Sequence, residues 1–197
     1  QQTIPLSMLS LVTQQKPTFI SFEFGTTEIL GAASHGTGII FPAATWGGLL
    51  GLTLNALDAG TPNAKKVIFN VPDVTAYPFF NTLPIVELTA AGTAAVGGAG
   101  PKFLLGPGGK LVPGDRVGLN ALRLLTGLPN VTSAPDSGAW GYALGDTSYL
   151  SGRPVPGNGR ALPDSAVLSI SEVATVQQAV RDYNTAIASQ ATTRGYA

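Results

Sequence analysis

The chain has no cysteine and a single histidine among its 197 residues. Without cysteine there are no disulfides, no thiolate metal sites and no thiol nucleophile. With one histidine and scattered acids, converging ligands for a transition metal are lacking, and no metal or cofactor is expected. Charge is scarce: Asp, Glu, Lys and Arg make up 11% of the residues, and eleven acids cancel eleven bases. That balance argues against a nucleic-acid partner and against a polybasic membrane contact. No apolar run reaches the roughly 18 residues of a membrane span. A chain that opens "QQTIPLSM", with neither leader nor initiator Met, is expected to be processed or partial. What is present is a 44% hydrophobic fraction, enough for a core, and much Gly (25) and Pro (15). The length fits one domain, or one domain carrying a large insertion.

Hydrophobic patterning places elements at the two ends. "TFISFEF" (18–24) and "KVIFNV" (66–71) are apolar without clean alternation, as suits strands buried on both faces of a parallel sheet. Between them "PAATWGGLLGLTLNALDAG" sets Trp46, Leu49, Leu50, Leu54 and Leu57 near helical spacing, with Pro42 near its start and Gly60 at its end. Strand, loop, helix, strand makes a βαβ unit. At the other end Ser169 and Glu172 stand in capping-box spacing. Val173, Val176, Val180, Tyr183, Ile187 and Ala191 then recur in steps of three and four, predicting an amphipathic helix of about six turns that ends near Gly195. Residues 84–163 are rich in Gly and Pro and read as a loop-rich insertion covering one end of the sheet. Within them "KFLLGPGGKLV" predicts a hairpin, and "DRVGLNALRLL" a short strand or helix.

Few residues invite chemistry. Ser34 and His35 are sequence neighbours, whereas catalytic pairs normally come from separate segments. "HGTG" is faintly like the His-Gly oxyanion loops of some esterases, but no G-x-S-x-G elbow accompanies it. The glycines near Gly106–Lys110 lack the P-loop pattern. Asn130-Val131-Thr132 is a formal glycosylation sequon. Asn70 and Asp73 fall at the carboxyl end of the second strand, where open α/β sheets place their sites. The plainer reading of Asp73 is a cap on the turn after Pro72.

Three stretches carry a resemblance. "PTFISFEFGTTEILGAASHGT", "KVIFNVPDVTAYPFFNTLP" and "LPDSAVLSISEVATVQQAVRDYNTAIASQA" occur in the order, and with gaps, that resemble a bacterial branch of the SGNH (GDSL-type) hydrolases. The resemblance spans nearly the whole chain. It implies a flavodoxin-like α/β fold with a parallel sheet, here partial and carrying the 84–163 insertion. It also implies an exported or envelope-associated bacterial protein with ester-hydrolase ancestry.

The resemblance also marks what is missing. The branch's G-D-S nucleophile block lies upstream of everything here, and its D-x-x-H block lies after the final helix. The catalytic block that remains is the loop ending G-N-N-D in relatives. Gly25 matches it, Thr27 and Glu28 stand at the Asn and Asp positions, and Thr26 replaces the preceding residue. Loss of an oxyanion side-chain donor costs about 10²–10³ in rate. "GTTE" is therefore expected to be a decayed catalytic loop. The first expectation is a non-catalytic accessory or structural subunit of a larger bacterial envelope assembly. Its protein partners would meet the insertion through Trp140, Tyr142 and Tyr149, since aromatics dominate interface hot spots. The alternatives are a carboxylester hydrolase whose Ser and Asp-His blocks lie outside this chain, and a small-ligand module using the old cleft.

Overall fold

The computed structural model of the chain describes residues 8–35, 40–98, 100–127, 138–150, 152 and 154–197. Helices and strands are mixed, and the residues group into two compact units. One unit runs through Ile29 and adds Ile40–Pro72 and Gln178–Ala197; the other takes Leu30–Ile39 and Asp73–Gln177.

The first unit begins with helix α1 (Met8–Gln15) and strand β1 (Phe19–Glu23), and continues into the start of α2 (Thr26–His35). Helix α3 (Ala43–Gly60) and strand β2 (Lys65–Phe69) complete its first half. As expected from the sequence, β1 and β2 are parallel neighbours, with Phe19 opposite Lys65 and Glu23 opposite Phe69. Paired residues share a face. One face, with Ile20, Phe22, Lys66 and Ile68, is half-buried or buried. The other is open: Phe19 is 58% and Phe69 54% exposed, and Ser21, Glu23 and Lys65 are exposed beside them. Beyond β2, the Ala197 N–H donates to Lys66 O, and Ala197 O accepts from the Ile68 N–H. The middle strand is thus hydrogen-bonded on both edges. Every other strand pair is antiparallel and two residues long, so the broad parallel sheet of a flavodoxin-like core is not displayed among the described residues.

Helix α3 buries Trp46, Leu50, Leu54 and Leu57, which share one face at steps of four, four and three. The Trp46 ring stacks on Tyr183 at 4.0 Å and 9°. The next residue, Asn184, clamps the chain leaving β2: its Oδ1 accepts from the Val71 N–H at 2.7 Å and its Nδ2 donates to Val71 O at 2.9 Å. Val71 is buried, so both backbone groups depend on this one amide. Asn184→Ala is expected to lower the unfolding free energy by about 1–3 kcal/mol, the cost of stranding buried polar groups. Asn184→Asp should recover only part of it, because a carboxylate accepts from the N–H and cannot donate to the carbonyl. Denaturant midpoints of the two variants check the order.

The second unit is built from short pieces. After α4 (Pro78–Asn81) come β3 (Val96–Gly97) with β4 (Gly100–Pro101), and β5 (Leu105–Gly106) with β6 (Gly109–Lys110). The second of these is the hairpin anticipated in "KFLLGPGGKLV". "DRVGLNALRLL" divides into strand β7 (Arg116–Val117), a 3-10 turn, and helix α5 (Leu122–Leu125). Strands β8 (Thr147–Ser148) and β9 (Val155–Pro156) pair, and β10 (Val167–Leu168) runs antiparallel to β7. Residues 84–163 are therefore more than loop. They contribute Leu104, Leu111, Val117, Leu125, Tyr142 and Leu162 to a core of their own. The long helix α6 (Ile170–Arg194) closes the chain. Its capping box forms as anticipated: the Ser169 N–H donates to Glu172 Oε2 at 2.7 Å, and the Glu172 N–H donates to Ser169 Oγ at 3.3 Å.

The main departure from the sequence reading is α2. "TTEILGAASH" is a helix of ten residues rather than a loop. The Glu23 carboxylate, reaching forward from β1, accepts from the Thr26 N–H at 3.0 Å and so caps it. Glu28 adds a favourable negative charge in the first turn.

Candidate functional site

The corner after β1 is fixed by Gly25. Its φ is +114°, and a Cβ there would lie 2.7 Å from Val71 Cγ2, 3.0 Å from Trp46 Cζ2 and 3.1 Å from Tyr183 Cδ2. Only glycine meets both the dihedral and the close approach. The four residues of the expected oxyanion loop then take different environments. Gly25 is buried. Thr26 is half-buried, with its Oγ1 enclosed and unpartnered, and its N–H is held by Glu23. Thr27 and Glu28 are exposed in the first helical turn.

This arrangement does not favour a developing oxyanion. A transition-state anion needs preorganised N–H, amide or hydroxyl donors aimed at it. Here the Thr26 N–H is already paired with a carboxylate, the Thr26 hydroxyl is enclosed, Thr27 is exposed, and Glu28 adds a second carboxylate in the first turn. Tyr183 senses that charge: burial, then Glu28, raise its phenol above the ordinary tyrosine value, partly offset by its hydrogen bond to Phe41 O at 3.1 Å.

Beside the corner lies an open groove of about 110 Å³. Trp46 and Leu50 line its buried part; Phe24, Phe41 and Leu49 are exposed on its walls, with Glu28 beside them. Among the described residues its lining is apolar and aromatic apart from Glu28 and Thr53, with no basic residue.

None of the other expected site residues is among the described residues that line this groove. Asn70 is exposed just after β2. Asp73 caps a 3-10 turn: its Oδ1 accepts from the Thr75 N–H at 3.0 Å and the Thr75 hydroxyl at 2.6 Å, and its Oδ2 accepts from Gln177 Nε2 at 3.1 Å. That is the plainer of the two readings, and it occupies both carboxylate oxygens. Ser34 turns its hydroxyl toward the Gly31 carbonyl of its own helix, at 3.4 Å. The His35 side chain and the Asn130–Thr132 sequon lie outside the described residues.

Of the three aromatic residues expected at an interface, Tyr142 is a correction. It is 2% exposed within the second unit's core, and so cannot anchor a partner. Burial raises its phenol, a hydrogen bond with Ser148 opposes that, and Glu87 adds to the rise. Trp140 and Tyr149 are half-buried, and the Arg160 guanidinium sits 5.2 Å from the Trp140 ring centre.

Sequence reasoning missed two buried charge clusters. Glu87 is 5% exposed; its Oε2 is 3.9 Å from Lys102 Nζ, which bonds Asp146 at 3.1 Å. Burial pushes the Glu87 carboxyl up, Asp146 pushes the same way, and Lys102 and Lys110 oppose both. A lone acid in the otherwise apolar "PIVEL" was the available signal. In the first unit Asp58 joins Lys66, Arg194 and Tyr196. A second concavity of about 470 Å³ borders the β5–β6 hairpin and the start of α6. It is no anion site, because carboxylates already take backbone N–H groups at the start of the helix, one from Asp115 and one from Glu172. The Ile170 N–H donates to Asp115 Oδ1 at 2.8 Å, and Glu172 takes the Ser169 N–H.

Among the described residues no group of acids or histidines could hold a metal ion, and no helix is long and apolar enough to cross a membrane. The chain matches no family model, no curated protein sequence and no solved structure.

Proposed function

We propose that this chain is a non-catalytic, SGNH-hydrolase-like α/β subunit that works by binding a protein partner in a bacterial envelope assembly. The observation that carries the reading is the Gly25 corner. It has a strand, a buried glycine at positive φ and a helix after it, but its first N–H is taken by Glu23, and Glu28 brings a carboxylate to where an ester hydrolase stabilises negative charge. The flavodoxin-like architecture is part of the proposal; the parallel β1–β2 register and the two hydrogen-bonded edges of β2 support it. The open face of the pair, with Phe19 and Phe69, supports a partner. Parallel strands are normally covered on both faces, and a specific contact buries more than about 1,000 Å². Trp140 and Tyr149 remain candidates for contact from the second unit.

An ester hydrolase completed by blocks outside this chain is the second reading. It is favoured by Gly25 and Asn70 standing at the carboxyl ends of adjacent parallel strands. Hydrolysis of p-nitrophenyl acetate and butyrate tests whether this chain is non-catalytic by itself. Residues 1–197 are expected to give rates equal to the buffer blank. Turnover above the blank that disappears in Ser34→Ala would overturn the non-catalytic reading.

A further inference from the structure

The groove beside Gly25 combines features that an accessory surface does not require. Phe24 and Phe41 expose aromatic surface along it, and Trp46, locked by its stack on Tyr183, lines its buried part. Its one charged residue among those described is Glu28, whose carboxylate forms no ion pair or hydrogen bond with another described residue. The lining therefore offers aromatic surface and one carboxylate, with no cationic side chain beside it among the described residues.

The chemistry selects the ligand class. An anion would meet Glu28 with no basic residue among the described lining to offset it. A hard metal ion would want six or so oxygen ligands, and the groove supplies one carboxylate and the Thr53 hydroxyl. A neutral alkyl group would cover the aromatic surface but draw water away from the carboxylate with nothing in return. A cation clothed in methyl groups satisfies both parts at once, because aromatic rings attract positive charge and the methyls contact apolar surface.

We propose that the groove binds an organic cation of the quaternary ammonium class, with Phe24, Phe41 and Trp46 around the methyl groups and Glu28 balancing the charge. This goes beyond the non-catalytic reading and is independent of it, since binding is measured without hydrolysis.

Titration of ¹⁵N-labelled protein with choline, monitored at the Trp46 indole resonance, tests the proposal against the neutral isostere 3,3-dimethyl-1-butanol. Choline is expected to give a saturable shift with a millimolar dissociation constant, and the alcohol to bind at least about five-fold more weakly. Glu28→Gln should weaken choline by about five- to ten-fold and leave the alcohol unchanged. Phe41→Ala, a wall residue with an exposed side chain, should weaken both, and thermal melts confirm that each variant is folded. Cosedimentation with phosphatidylcholine vesicles, competed by choline, would assign the group to a lipid headgroup. Choline binding without cosedimentation would assign it to a free cation. Equal affinity for choline and the alcohol, an unaltered choline affinity in Glu28→Gln, or no saturable shift through the millimolar range would overturn the proposal.

Discussion

Gly25→Ala is expected to lower the unfolding free energy by about 2–5 kcal/mol, from a left-handed backbone penalty of about 1–2 and an overpacking penalty of about 1–3. The second component is large because the neighbours cannot retreat. Val71 is tied at both backbone groups by Asn184. Trp46 and Tyr183 are stacked on each other, and the Tyr183 hydroxyl is anchored on Phe41 O. A Cβ placed 2.7–3.1 Å from all three must displace a clamp or a stack. Gly31, in the middle of α2, is the internal control: nothing lies within 4 Å of its Cβ position. Gly31→Ala should be neutral or stabilise by up to about 1 kcal/mol, the ordinary helix-propensity gain. Guanidinium midpoints at unchanged slope measure both. If Gly25→Ala stayed within about 0.5 kcal/mol of wild type, the corner would be more pliable than its geometry indicates.

The contrast between those two glycines explains why the corner was only half legible in the sequence. "FGTTEILG" announces a break after a strand, and Gly25 makes that break. The residues after Gly25 look like loop because two threonines stand where a helix would begin and Gly31 interrupts the apolar spacing. The cap that starts the helix is Glu23, a strand residue whose side chain reaches forward. Local patterns find a Ser-x-x-Glu box such as Ser169 and Glu172, since donor and acceptor lie within one turn. They do not anticipate a cap projected from the element before. The β1–β2 pair and α6 were legible because their signals are local, a continuous apolar run in one and a spacing of three and four in the other; the expected burial of the strands on both faces was not met, since Phe19 and Phe69 are exposed. Tyr142 failed differently. In a segment as rich in glycine as "SGAWGYALG", composition carries no burial signal, and only the fold decides which aromatic fills the core and which stays half-exposed.

The cluster at Asp58 had no sequence signal at all, because its members come from positions 58, 66, 194 and 196. Lys66 points into the first unit from β2 with its side chain 4% exposed. Its Nζ lies 3.1 Å from Asp58 Oδ1 and donates to Thr61 O at 2.9 Å. Arg194 Nη1 donates to Asp58 Oδ2 at 2.7 Å, and the Tyr196 hydroxyl donates to Asp58 Oδ1 at 2.6 Å. One carboxylate thus compensates a buried ammonium and fastens the end of α6.

Asp58→Ala is expected to cost about 3–5 kcal/mol, because removing one partner leaves a buried charge uncompensated. Lys66→Met should cost clearly less, since it removes the buried charge that Asp58 compensates. The pH dependence has a definite sign. Burial raises the Asp58 carboxyl, but hydrogen bonds from Tyr196, Arg194 and Lys66, with the Lys66 charge, outweigh it and hold the group below its ordinary value. Its contribution is therefore complete above the unfolded carboxylate value of about 4 and is lost as pH falls through the lower folded value. Tyr196 bounds the other side. Burial first, then its bond to Asp58, raise its phenol, so stability is complete below the unfolded value of about 10 and declines above it. Glu87, whose carboxyl is raised, works against Asp58 in acid, so the difference between wild type and Asp58→Asn isolates the cluster. That difference in unfolding free energy should be greatest between about pH 5 and 9 and shrink on both sides. A difference that stayed flat from pH 3 to pH 7 by denaturant titration would mean that Lys66 is compensated by its carbonyl contacts alone, and that Asp58 is a surface acid with little part in holding the chain's end.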